Sequence, residues 1–190
     1  MNTLRNKILS YTHVDDDVLD DALQFYKKIT VKKGDVLVRP GNFVKRFYYL
    51  DTGCIYYYKI ESGEIKVLEF YTEDTFFTDL YSYVQEVPSN SYLVAIEDTT
   101  VCAITKEDVE KSFDQSHQLE RFGRLSMQDA FIKTFSRVDR LNNRTNEERY
   151  LRLLEKRPSL FQRVPQYLIA SYLGLTPVGL SKIRKRLSNG

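Results

Sequence analysis

Lys182, Arg184, Lys185 and Arg186 crowd the end of a 190-residue chain, in a stretch (162–190) that also holds Arg163 and has no Asp or Glu. Clustered cations of this kind suit one chemistry above others, the holding of polyanions through charge-assisted hydrogen bonds. Other reactive residues are too sparse to assemble a catalytic site. His13 and His117 are the only histidines and Cys54 and Cys102 the only cysteines, with none of the spacing of a zinc site, an iron–sulfur cluster or a Cys–His nucleophile. We therefore expect no enzyme, no metal and no cofactor; a hydrolase or metal-dependent cupin would need clustered histidines and carboxylates. The two cysteines read as reduced core residues, and Glu73, Asp74 and Asp79 as solvated loop acids.

The formal net charge of +2 conceals a division. Setting the five terminal cations aside leaves 23 Lys and Arg against 26 Asp and Glu, so residues 1–161 carry −3. A basic tail on an acidic body implies a polyanionic partner for the tail alone. No apolar run approaches the roughly 20 residues that cross a bilayer. The opening "MNTLRNKILSYTHVDDD" has no continuous apolar stretch and turns acidic early, which predicts no signal peptide and a cytoplasmic location.

The elements that must present those cations can be read directly. Pro165 suits the first turn of a helix, with Ile169 and Leu173 one turn apart. Gly174 permits the left-handed residue that ends it, and Thr176 with Pro177 can start the next. Two short helices joined by about three residues containing glycine make a helix-turn-helix. On the second helix Leu180, Ile183 and Leu187 form an apolar stripe, whereas Val178, Lys182 and Lys185 share the opposite side with Ser181 and Arg186 at its flanks. Lying in a major groove, such a helix would use Thr176, Val178, Gly179, Ser181 and Lys182 near base edges. Lys185 and Arg186 would meet phosphates. A cationic helix end that merely complements its own dipole accounts for one or two of these charges, not for the whole pattern. A helix lying on anionic lipid is the closest rival.

Upstream, the segment around 106–157 predicts a helix capped by Asp114 or Ser116 and running to about Asn142. Leu119, Phe122 and Leu125 lie on one of its sides, and Phe131, Phe135 and Val138 drift to another. Such a helix packs on two things, either its own chain and a second subunit or two surfaces of one chain. A further helix follows Thr145 and stops before Pro158. The first part of the chain has short helices marked by Leu4, Ile8, Val18, Leu19 and Leu23. Strand-like runs then break at Gly34, Gly41, Gly53 and Gly63, and "CIYYYKI" and "EIKVLEFY" read as a hairpin through Glu61-Ser62-Gly63.

With "VLVRPGNFVKRFYYLDTGCIYYYKIESGEIKVLEF" and "VPQYLIASYLGLTPVGLSKIRKRL" in this order, the chain resembles the cyclic-AMP receptor/fumarate–nitrate regulator family of bacterial transcription factors over almost its whole length. The resemblance implies an α+β protein: an N-terminal cyclic-nucleotide-binding-like β-roll sensor (1–112), a long central dimerisation helix (113–143) and a C-terminal all-α helix-turn-helix domain (144–190). It implies a homodimer that binds double-stranded DNA, and it leaves room for an RNA polymerase contact and an unidentified small-molecule effector.

Two departures from the family pattern carry expectations of their own. Cyclic-nucleotide binders resembling this chain have a Phe-Gly-Glu-Leu turn and then an arginine followed by Ser or Thr for the phosphate. Here those stretches read Phe77-Thr78-Asp79-Leu80 and Ser89-Asn90-Ser91, and no arginine occurs between Arg46 and Arg121. Lys59 and Lys66 would be poor substitutes for a bidentate arginine. We expect no tight cyclic-AMP binding, with Tyr58, Phe70, Phe77, Thr78, Asp79, Leu80, Asn90 and Ser91 as the candidate effector pocket. The sequence given also ends three residues after Leu187, where the family continues into a β-hairpin wing, so wing contacts to DNA are not expected. The alternative reading is a small-molecule-binding β-roll whose basic tail engages a membrane surface or a protein partner.

Overall fold

The computed structural model describes residues 1–188, excepting the side chains of 137–142 and 188, so Val138 of the expected second helix face lies outside the described residues. Contacts divide the chain into two units, Met1–Tyr57 with Phe70–Phe131, and Tyr58–Glu69 with Ile132–Gly190. The elements run α1 (Asn2–Tyr11), α2 (Asp16–Gln24), β1 (Lys27–Val31), β2 (Val36–Val38), β3 (Arg46–Thr52), β4 (Ile55–Glu61), β5 (Glu64–Tyr71) and β6 (Thr75–Phe77). They continue with α3 (Leu80–Gln85), β7 (Tyr92–Ala95), β8 (Thr99–Thr105), α4 (Lys106–Gln115), α5 (His117–Asn143), α6 (Asn146–Lys156), α7 (Leu160–Arg163), α8 (Gln166–Tyr172) and α9 (Pro177–Ser188).

Two four-stranded sheets, ordered β1-β8-β3-β6 and β2-β7-β4-β5, form the roll. Residue alternation explains where each strand's side chains go. In β3, Tyr48 and Leu50 enter the roll interior with Val101 and Ala103 of β8. Their neighbours Tyr49 and Cys102, paired across the sheet, point the other way into a second core with Leu4, Ile8, Leu19, Leu119 and Phe122. The first sheet is thus buried on both faces, and "VCAI" in β8 is continuously apolar for that reason. Cys54 and Cys102 are both buried and outside any disulfide, and desolvation pushes the Cys102 thiol upward in pKa.

Glycine is required where backbones close up. At Gly53, with φ of 104°, a Cβ would sit 2.7 Å from the Thr99 Cα, contact that no side chain tolerates. The β4–β5 turn has Ser62 at φ 52° and Gly63 at φ 80°, the two left-handed residues of a type I′ hairpin. After β8, α4 is a separate helix capped by the Thr105 hydroxyl on the Asp108 N–H. Of the two expected caps for the long helix, Ser116 precedes α5, its Oγ accepting from the Gln118 N–H at 3.2 Å.

On α5 the two expected faces differ. Leu119 and Phe122 are buried, whereas Phe131, Ile132 and Phe135 are 68%, 61% and 66% exposed. In the second unit, Thr145 and Glu148 form a reciprocal capping box that starts α6. Tyr150 and Leu153 of α6, Leu160 of α7 and Leu168 and Ile169 of α8 are buried, and the Tyr150 and Phe161 rings meet edge-on at 5.4 Å. The short helix α7 was not foreseen in the sequence, and Pro165 lies at the cap position just before α8 rather than within it.

Candidate nucleic-acid interface and sensor cassette

The turn between α8 and α9 is built from backbone groups. Gly174, at φ 70°, donates to the Ser171 carbonyl at 3.0 Å, and Leu175 N–H reaches the Ala170 carbonyl at 2.8 Å. This crossed pair is a Schellman ending, which satisfies carbonyls that the helix end would leave open. Thr176 then opens α9, its Oγ accepting from the Gly179 N–H at 3.1 Å. Gly179 is tightly placed, because a Cβ there would lie 3.2 Å from that same Oγ. The threonine hydroxyl, a candidate base contact, is thus already engaged as the cap.

Packing orients the rest of α9. Leu180 is 1% exposed and Ile183 8%, and Ile169 of α8 and Leu173 just after it are also buried, while Val178 is 65% exposed. Ser181, Lys182 and Lys185 are exposed on the outward side. Two cations of α9 make contacts within the unit: Arg184 donates to the Gln166 Oε1 of α8 at 2.8 Å, and Arg186 pairs with Glu147 of α6. Arg186 remains solvent-accessible, so a phosphate would compete with Glu147 for it.

The same unit includes the outer part of the β4–β5 hairpin, and this junction left no signal in the sequence. Ser171 Oγ donates to the Ile65 carbonyl at 2.6 Å and accepts from the Val67 N–H at 3.0 Å, so one hydroxyl closes an open strand edge. Glu69 accepts from Arg157 at 2.8 Å and from the Tyr172 hydroxyl at 3.1 Å. Lys59 and Lys66 pair with Glu61 and Glu64 of the hairpin itself.

In the first unit, the candidate effector residues form a cassette around Asp79. Its side chain caps α3 through the Ser82 N–H at 3.4 Å and accepts from the Tyr57 hydroxyl at 3.0 Å and the Ser89 hydroxyl at 2.7 Å. Ser89 in turn accepts from the Ser91 N–H, and its own backbone is bonded to Gly41 and Asn42. Thr78 Oγ donates to the Arg46 carbonyl. Phe70, Phe77, Thr78, Asp79 and Ser91 are buried, Leu80 is half-buried, and Asn90 is exposed with its Oδ1 accepting from Ser91. Tyr58 falls in the hairpin portion grouped with the second unit.

One reading of the sequence is corrected here. Asp79 is 1% exposed and no loop solubiliser, and Asp74 and Glu73 also accept specific bonds, from Lys7 and the Tyr49 hydroxyl and from the Gly53 N–H. No Lys or Arg occurs between Phe77 and Ser91, so the buried carboxylate rests on neutral donors. The donors around this carboxylate, the Tyr57 and Ser89 hydroxyls and the Ser82 N–H, are thus already engaged.

No curated protein matches the sequence. Residues 28–116 match the family described as cyclic nucleotide-binding domain. Among solved structures, FixK2 from Bradyrhizobium japonicum is similar with a TM-score of 0.72 and 20% identity, over 86% of this chain and 85% of that one. The c-di-GMP-responsive global regulator CLP of Xanthomonas campestris gives 0.70 and 18%, over 92% of each chain. The Thermus thermophilus catabolite activator protein gives 0.58 and 16%, over 94% and 86%. A cyclic nucleotide-binding-like β-roll at 28–116, followed by a long helix and closing helices, gives this chain the fold of the cyclic-AMP receptor/fumarate–nitrate regulator family, as the resemblance in its sequence implied.

Proposed function

We propose that the protein is a homodimeric, DNA-binding transcriptional regulator that reads an inverted-repeat site with α9 and whose sensor takes no cyclic AMP. The observation that carries this reading is the division of α9, with Leu180 and Ile183 buried against α8 and Val178, Ser181, Lys182 and Lys185 held outward. A helix with its apolar side buried retains little to insert into lipid, which favours nucleic acid over a membrane surface as the polyanion. No helix among the described residues is long and apolar enough to cross a membrane.

Within α9, Val178, Gly179, Ser181 and Lys182 face base edges, Thr176 fixes the helix start, and Lys185 and Arg186 hold phosphates. The domain division 1–112, 113–143 and 144–190 follows from this reading. Met127, Phe131, Ile132 and Phe135 recur along one side of α5 and stay exposed. A second copy of the same helix is the partner that such a self-complementary stripe suits. Two α9 helices would then fall on half-sites about one helical turn apart.

Gel-shift with random-sequence duplexes, set against flotation with anionic vesicles, tests the reading. Duplex binding that weakens with salt, without vesicle binding, is the expected result; vesicle binding alone overturns it.

A further inference from the structure

One apolar feature that this function leaves unused is a cavity on the outer side of the first sheet. It has a volume of about 120 Å³ and is enclosed by α1 and α2 (Ile8, Ala22), the sheet (Phe76, Ile104), α4 (Phe113) and α5 (Phe122). It lies apart from the Asp79 cluster, although α3 contributes Tyr83 to its wall.

The chemistry of the lining narrows what fits. Among the described residues no Asp, Glu, Lys, Arg or His borders the cavity. The two lining serines turn their hydroxyls onto their own helices, Ser112 to the Asp108 carbonyl and Ser126 to the Gly123 carbonyl. Tyr26 and Tyr83 are phenols, neutral at physiological pH, and burial raises both further, Tyr83 to about 12. Aromatic rings supply much of the wall, with Phe76 and Phe122 centroids 5.4 Å apart and Phe47 and Tyr83 5.6 Å apart. Gly123 keeps the space from being filled by the helix crossing: a Cβ there would come 2.2 Å from the Phe113 ring, pushing it off its seat. Met127 alone among the described lining residues is exposed.

We propose that this cavity is a binding site for a small, neutral, apolar ligand of one or two aromatic rings, separate from the Asp79 cassette. An apolar cavity of comparable size stays dry and takes up benzene. Charged ligands, cyclic nucleotides included, are excluded by the cost of burying a charge without a partner.

The test uses the full chain, benzene and indole. Because the protein has no tryptophan, indole emission reports binding directly, and methyl NMR locates it. Saturable binding with shifts at Ile8, Ile104 and Val109 and none at Val38 or Leu93 inside the roll is expected. Ala22→Leu, which fills the cavity, should weaken indole by at least about tenfold. Xenon-dependent shifts at the same three methyls in the unaltered protein test the site without any variant. Shifts centred on the roll interior, affinity indifferent to Ala22→Leu in a folded variant, or no saturable binding of either probe together with no xenon response would each overturn the assignment. None of these readouts involves DNA, so this site and the regulator reading stand or fall separately.

Discussion

The Asp79 cassette and the outer face of α9 treat polar side chains in opposite ways. In the cassette a carboxylate that is 1% exposed is closed by Tyr57, Ser89 and the Ser82 N–H. On α9, Lys182 and Lys185 are held in solvent by the packing of Leu180 and Ile183 beneath them. A binding surface needs polar groups that solvent, and so a ligand, can reach, whereas a buried and satisfied network resists any ligand that must break it. On the proposed function, recognition belongs to the second unit, and the first holds a cassette turned in on itself.

The largest break in that contrast comes from Asp79→Ala. It removes the acceptor shared by Tyr57, Ser89 and the Ser82 N–H and with it the α3 cap, so urea denaturation should show a loss of about 3 kcal/mol, while DNA affinity of the remaining folded protein stays unchanged. Lys182→Ala should cost about 2 kcal/mol at the preferred site and little on random DNA, read by competition gel-shift. Ser171→Ala removes both bonds to the β5 edge and should cost about 1 kcal/mol in unfolding. Lys185→Ala should weaken all duplexes alike and reduce the salt slope by about one.

The smallest effect concerns Cys102. Its thiol pKa is raised by burial, so on alkalinisation the unfolded chain ionises first. The stabilisation from this group is complete below about pH 8.5 and declines above it. Alkylation of Cys102 in the native protein should therefore be slow near neutral pH, as mass spectrometry would show.

Local punctuation made much of the architecture legible. Thr145 and Pro158 bound α6, Gly63 turns the hairpin, and Gly174, Thr176 and Pro177 place the α8–α9 turn, each acting within a few residues of itself. Surfaces were legible where periodicity alone decides them, as with Leu180 and Ile183 against Val178 and Lys182. What escaped depends on neighbours far along the chain. Asp79 looks like a loop acid until Tyr57 and Ser89 close on it from 22 and 10 residues away. Arg186 looks like a free phosphate ligand until Glu147 pairs with it. The same holds for Ser171 on β5 and for the cavity between sheet and helices, whose described walls come from eight separate elements.

Selection of genomic fragments by the purified protein, run in parallel with Lys182→Ala, tests the central claim most directly. The account predicts enrichment of two inverted half-sites about one helical turn apart, with base preference relaxed in the variant at the positions Lys182 reads. Unselective recovery of DNA by the unaltered protein, or identical preferences in protein and variant, would contradict it.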